Sequence, residues 1–434
     1  MARHPKERPP GWGAWSRREF LCRSGGAALG LSSASAILAA CSNSTNAAGG
    51  SSGAGSEPVG PGGLPLARPD RRVKLPIYAD NKPIESGLQP ETGGTFNVFN
   101  YPDYIYGSLL KEFGKKYNVN VQVTPFDDIS SGIARLASGA VTPDVTEMTP
   151  DNLDKVVAGK LIQPLNLDYI PNLQKNVWPE LVSPFYDVGS QYGVPYTVYK
   201  TGLAWRTDQV KEDIPSMPQP FDIFWESQAY AGKVALLSEV RETIAMALLR
   251  KGHLDVNTED PKLVNAAVAD LKQLYSICNI KVGDVQYQTI PEDKAWLNQA
   301  WSGDMLSATF YYLPNKATGK LLRFWSPPKG KGPIQNDMWS VCKGTKKPVL
   351  AHLFLNFMLD NGHAYSNFIN FNGYQPPLNE ISPTELVSKG LIPETLTNCV
   401  MTADELGPTS LQEMTLTIQG DQLWQNGYSD FLAG

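Results

Sequence analysis

The sequence predicts an α/β fold divided into two lobes, and three observations carry that prediction. Stretches that alternate apolar and polar residues, as strands do, are followed by stretches with apolar residues three and four apart, as on one helix face. That strand–helix–strand order recurs along the chain, and a βαβ unit requires parallel strands. The 434 residues exceed what one hydrophobic core serves, so the body divides. With 42% hydrophobic and 10% aromatic residues there is enough to bury, which excludes wholesale disorder. A formal charge of −5 argues against a nucleic-acid partner held by phosphate neutralisation.

The N-terminus reads as an address. Residues 1–23 carry six basic residues against two acidic ones, and a short, weakly apolar stretch follows from Gly25 to Ala40. Basic region, apolar region and small residues in that order are those of an export signal. Ser16-Arg17-Arg18-Glu19-Phe20-Leu21 resembles the twin-arginine motif, and Leu38-Ala39-Ala40-Cys41 resembles the bacterial lipobox. Residues 1–40 are therefore expected to be a signal peptide and Cys41 the lipidated residue. Residues 41–72, dominated by Gly, Ser, Ala and Pro, are expected to be a flexible tether, and 73–94 an extended lead-in. Removing the signal takes away six basic and two acidic residues, so the charge moves from −5 to −9.

The folded body begins at Thr95. Thr95-Phe96-Asn97-Val98-Phe99 alternates as a strand, a helix from about Ile105 presents Leu109, Leu110 and Phe113, and Val119, Val121 and Val123 alternate again. Asp128 or Ser130 can cap a helix carrying Ile129, Ile133 and Leu136. Strand Asp144–Glu147 leads into Thr149-Pro150-Asp151, which reads as N-cap, first-turn proline and first-turn acid, with Gly159 as the stop. Val234–Leu237 is a strand feeding a helix from Val240 to Lys251, closed by Gly252. Thr258 is the expected cap of a helix bearing Leu263, Ala267, Leu271 and Leu274. Met305–Phe310 reads as a buried strand and Pro348–Leu359 as a helix.

Ligands of such sheets sit beyond the carboxyl ends of the strands. The turns there are Tyr101-Pro102-Asp103-Tyr104, Thr149-Pro150-Asp151, Ser238 to Glu242, and Phe310-Tyr311-Tyr312, rich in aromatics and carboxylates. Catalytic chemistry has no support: GxSxG, HExxH, a Walker loop and GxGxxG are all absent, and the histidines lack nucleophile partners. No cofactor or metal is implied. Cys278, Cys342 and Cys399 follow the signal and the anchor; two could pair, and no CxxC suggests zinc or redox work.

From Thr95 to Gly434 the chain resembles the bacterial solute-binding proteins of spermidine/putrescine ABC transporters. The resemblance rests on FNVFNYPDYIYGSLLKEF, PDVTEMTPDNLDKVVAGKLIQPLN, VPYTVYKTGLAWRTD, KVALLSEVRETIAMALLRKG, NTEDPKLVNAAVADLKQL, NDMWSVCKGTKKP and FNGYQPPLN. It implies a type II periplasmic-binding fold with crossover strands, lobe 1 taking 95–197 with 340–382 and lobe 2 taking 201–337 with 383–434. Carried over residue by residue, it implies cleft aromatics at Tyr101, Tyr104 and Phe310. It implies carboxylates at Glu239, Glu242 and Asp337, and a polar contact at Gln412. Asp103, Thr149, Asp151 and Tyr311 join them from the turns. Gln335 stands where a cleft tryptophan is usual, and Lys200 where small residues are usual.

The function so implied is capture of a polyamine or related organic cation by a lipid-anchored, monomeric substrate-binding component that delivers it to ABC permease subunits. Alternatives within the class are an anion or ferric iron, since Tyr311-Tyr312 resembles the adjacent tyrosines of some iron-binding relatives. An exported carboxylate-dependent hydrolase is the rival from another class.

Overall fold

The first alternating segment folds as expected. In the computed structural model, which describes residues 58–311, 320–407 and 411–434, β1 (Thr95–Asn100) buries Phe96, Val98 and Phe99. It leads into α1 (Gly107–Tyr117), which stops at Asn118 in the left-handed region, and then into β2 (Asn120–Pro125). β1 and β2 run parallel with Thr95 opposite Asn120. Asp128, not Ser130, caps α2 (Ile129–Ala137), accepting from the Ser131 N–H at 2.8 Å. β3 (Val145–Met148) adds parallel to β1, and a short 3-10 turn at Pro150–Asn152 opens α3 (Leu153–Ala158).

β4 (Val194–Arg206) is the longest strand at 13 residues. β5 (Val234–Leu236), α4 (Val240–Arg250), α5 (Pro261–Cys278), β6 (Lys281–Val282) and β7 (Leu297–Trp301) follow. After α6 (Ser302–Tyr311) come β8 (Leu322–Trp325), β9 (Ile334–Val341), α7 (Pro348–Met358), α8 (Asn361–Asn367) and α9 (Ile418–Leu432).

The sheet order is β2-β1-β3-β9-β4-β7-β5-β6, with β8 pairing β4. Its two ends are parallel and its middle antiparallel, because β9 and β4 cross between the halves. The first half of β4 pairs with β9 and the second with β7 and β8. Gly202 marks the change of partner: a Cβ there would lie 2.1 Å from the Trp325 carbonyl oxygen, so no larger residue fits. Separate cores lie on either side of this crossover. One joins Phe96, Phe113, Val145, Trp339 and Phe354. Another joins Leu203, Phe224, Leu236, Leu271 and Trp424.

Several expectations need correction. Met305–Phe310 is not a strand but the body of α6, and the strand precedes it at Leu297–Trp301. The apolar run fits either period, and Ser302-Gly303-Asp304 ahead of it starts a helix. Asp260 rather than Thr258 caps α5, accepting from the Lys262 N–H at 2.8 Å. The tether expected to run to residue 72 gives way by residue 58 to packed backbone: Leu64, Leu66 and Ala67 are buried. Farther along, Glu91 accepts from the Leu350 N–H at 2.8 Å, placing a carboxylate on the N-terminus of α7. Cys278, Cys342 and Cys399 are three buried, unbridged thiols. The signal and Cys41 lie outside the described residues. Among the described residues no helix is long and apolar enough to cross a membrane.

Candidate functional site

Four strand ends converge on one cleft. Tyr101 follows β1, Thr149 and Asp151 follow β3, Glu239 follows β5, and Trp301 ends β7. Tyr199 of β4, Gln335 of β9, Glu242 of α4 and Glu413 also line it, as do Lys155 and Arg241. Contacts from wall to wall hold it shut. The Tyr101 hydroxyl donates to Glu239 Oε1 at 3.4 Å, and the Thr415 hydroxyl to the Asp151 carbonyl at 3.1 Å. Lys155 Nζ pairs with Asp421 at 2.9 Å. The space left is about 50 Å³, room for a few waters rather than an organic ligand. Ligand entry therefore requires these walls to part.

The cleft is strongly acidic. Glu242 is buried in the first turn of α4, where the helix dipole favours an anion, and Trp301 Nε1 donates to its Oε1 at 3.2 Å. Burial nevertheless pushes its carboxyl up to about 7. Glu239 is held up by burial first and then by the Asp284 and Glu242 charges, and Glu413 by burial and then Glu242. Asp337 lies deeper, accepting from Tyr104, from Thr197 Oγ1 at 2.9 Å and from Tyr199 at 3.3 Å. Burial raises it to about 6 despite those donors. Glu147 on β3 is fully buried without a donor on either oxygen, and burial followed by the Asp337 charge holds its carboxyl well above the usual carboxylate range. Asp304 in the first turn of α6 accepts from Tyr374 at 2.8 Å, while its Oδ2 has no partner and burial raises it to about 8.

Nearby cations are already engaged. Arg241 turns away to the Met414 and Val256 carbonyls and to Asn257 Oδ1, and stacks over Trp424. Among the described residues none of Glu147, Glu239, Glu242, Asp337 and Glu413 forms an ion pair. Buried carboxylates without cations are costly unless something else brings the charge. Lys200 does not: its Nζ pairs with Glu405 at 3.2 Å. Lys200→Met should accordingly leave affinity for a cationic ligand within about threefold, as separated sites do. Calorimetry showing tenfold tighter binding would mean that the lysine repels the ligand from within the cleft.

The structure thus gathers Tyr101, Thr149, Asp151, Glu239, Glu242 and Gln335 on one lining, with Tyr104 and Asp337 directly behind. Asp103 is exposed at φ 54° and meets Tyr287 instead. Gln412 is buried, its carbonyl accepting from Asn257 at 3.0 Å, and the neighbouring Glu413 takes the cleft position. Phe310 and Tyr311 end α6 rather than a strand, and their side chains lie outside the described residues. The aromatic at the strand end is Trp301. Leu297–Trp301 does not alternate, and the Ser-Gly-Asp helix start directly after it was the signal that could have located it. Nothing local marks Tyr199, Glu147 or Glu413, which are functional candidates only through partners distant in sequence.

Comparison with known proteins agrees with this architecture. A family model described as bacterial extracellular solute-binding protein matches residues 108–393. Spermidine/putrescine-binding periplasmic protein 1 of Haemophilus influenzae is 25% identical over 268 residues, 61% of this chain and 70% of its own length. The putrescine/cadaverine-binding protein of Pseudomonas aeruginosa is 24% identical over 274 residues, 62% of this chain and 75% of its own. The spermidine/putrescine ABC transporter substrate-binding protein PotD of Streptococcus pneumoniae superposes with a TM-score of 0.59 at 22% identity, covering 78% of this chain and 98% of that one. The TpPotD lipoprotein of Treponema pallidum superposes with a TM-score of 0.62 at 19% identity, covering 78% and 99%. The fold is therefore that of the two-lobed periplasmic binding proteins.

Proposed function

We propose, from the premise that this chain belongs to the family of bacterial extracellular solute-binding proteins, that its cleft captures a polyamine such as putrescine or spermidine for an ABC importer. One observation carries the choice of ligand: Glu147, Glu242, Asp337 and Glu413 are buried and Glu239 half-buried along or behind the cleft, and no ion pair among the described residues compensates them. A polyamine is a set of ammonium groups joined by methylene runs. Glu242, Glu239 and Asp337 would give charge-assisted hydrogen bonds to the ammonium groups. Tyr101, Tyr199 and Trp301 would enclose the methylenes and add cation–π attraction of about 0.5–2 kcal/mol each. Relatives named for binding spermidine, putrescine and cadaverine support the same class.

The proposal extends to lipid anchoring at Cys41 after twin-arginine export, to action as a monomer, and to delivery to permease subunits. It also divides the lobes as 95–197 with 340–382 and 201–337 with 383–434. Calorimetric titration with putrescine and spermidine tests the ligand, with saturable heat and a raised melting temperature expected. Neither heat nor thermal shift at millimolar amine would overturn the polyamine assignment and leave the fold untouched.

A further inference from the structure

The segment before Thr95 precedes the family match, which begins at residue 108, yet it is built into the body. Leu64, Leu66, Ala67, Val73 and Leu75 are buried along it. It is pinned to the first core's side of the molecule. The Val73 N–H donates to the Phe185 carbonyl at 2.7 Å, and the Val73 carbonyl accepts from Val188 at 2.9 Å. Tyr192 donates to the Pro76 carbonyl at 2.6 Å. Gly62, at φ 65°, packs so closely on α3 that a Cβ would lie 2.6 Å from Ala158. Within this strap a tight turn closes on itself, Arg68 and Arg71 exchanging backbone hydrogen bonds of 3.0 and 2.9 Å. The turn fixes where the Arg68 side chain starts.

That side chain leaves the strap for the other side of the cleft. Arg68 Nη1 donates to the Ala67 carbonyl at 2.7 Å and to the Thr415 carbonyl at 3.1 Å. Residues 412–417 are tied chiefly to the second core's side. Asn257 holds the Met414 N–H at 2.7 Å, Arg241 holds the Met414 carbonyl at 3.2 Å, and Glu259 holds the Thr417 N–H at 2.9 Å. The same segment carries Glu413 on the cleft lining. Across the divide the Thr415 hydroxyl also donates to the Asp151 carbonyl at 3.1 Å, and the Leu411 carbonyl accepts from the Ile334 N–H of β9 at 3.0 Å. Thr415 is therefore gripped from opposite ends by Asp151 and the strap, two residues from a ligand-facing carboxylate.

We propose that Arg68, carried on the strap of residues 58–76, is a positioning residue that holds segment 411–417 in the closed cleft and so slows ligand release. The chemistry is plain. Opening moves Thr415 away from Asp151, and Arg68 adds a charge-assisted bond that must break in the same motion. Closure without the strap would retain the cleft's own contacts and lose this one. The magnitude follows from a half-buried donor on a neutral carbonyl, about 0.5–1.5 kcal/mol, or about 2- to 10-fold in rate.

This inference rests on the polyamine reading for its kinetic arm only. Arg68→Ala in the full chain should raise the dissociation rates of putrescine and spermidine about 2- to 10-fold, with association nearly unchanged. Arg72→Ala serves as the control, because Arg72 bonds Ser183 and stays on the strap's own side; it should leave both rates alone. A second arm needs no ligand: amide hydrogen exchange in the amine-free protein should speed up across 411–417 in Arg68→Ala and not in α7. Wild-type dissociation and wild-type exchange in Arg68→Ala would overturn the proposal, as would equal acceleration by Arg72→Ala. If wild-type protein binds neither amine, the ligand reading falls, and unchanged exchange at 411–417 would by itself reject the strap's role.

Discussion

Glu242→Gln should weaken putrescine and spermidine binding by tens of fold or more. Removing one partner of a buried charge pair costs about 2–5 kcal/mol, and each 1.4 kcal/mol is tenfold. The substitution isolates charge from shape. A glutamine keeps the volume, and its amide oxygen can still accept from Trp301 Nε1, now 3.2 Å from Glu242 Oε1. What it cannot do is balance an ammonium in a place where Glu242 is 6% exposed and no lysine or arginine pairs with it. Asp337→Asn tests the deeper end in the same way. Its three donors are the hydroxyls of Tyr104, Thr197 and Tyr199, which can rotate to suit an amide, so loss of affinity would report charge and not collapse of the pocket. Calorimetry gives the affinities, and melting without amine at or above the wild-type temperature shows that both variants are folded. Wild-type affinity in both would remove this cleft from consideration as a cation site.

The residues that make these predictions possible were unevenly visible in the sequence. Tyr101, Glu239 and Glu242 were legible because each lies where a readable strand passes into a helix with its own face. Local chemistry suffices there: the strand must end, the turn must sit at the sheet's edge, and the edge is where ligands bind. Trp301 was hidden by the apolar run after it, which reads equally well as strand or helix, and the error displaced the aromatic site nine residues to Phe310. Glu147 was hidden differently. Its strand was predicted correctly, but nothing within β3 says that the facing strand is β9 or that Asp337 lies beside it. Lys200 shows the converse, since a cation that looked hostile to the ligand is neutralised by Glu405, 205 positions away. Pairings of that separation are set by how the halves dock, which local pattern does not encode. The strap is the extreme case: residues 58–72 have the composition of a tether and are ordered by the surface they lie on.

Binding should weaken as the medium becomes acidic, and the direction follows from which form each partner needs. Polyamine nitrogens, like a lysine amine with pKa about 10.4, stay charged throughout the relevant range. The carboxyls do not: Glu242 sits at about 7 and Asp337 at about 6, both raised by burial. Below those values each must shed a proton before it can pair with an ammonium, so affinity falls by up to about tenfold per pH unit per group. Between pH 8 and pH 5.5 the loss should exceed about tenfold, and Glu242→Gln should flatten the curve. Protons released on binding near pH 6.5 provide a direct check, since the calorimetric heat should change with the ionisation enthalpy of the buffer. The unliganded protein should show the opposite trend in stability. A carboxyl whose folded pKa is raised binds more protons folded than unfolded, so its contribution is complete below about pH 4 and is lost as pH rises through 6 and 7. Its melting temperature should fall from pH 5 to pH 8, and saturating spermidine, by supplying the missing positive charge, should cancel or reverse that slope. Affinity that holds level or rises on acidification would mean that the cleft acids do not meet the ligand as carboxylates.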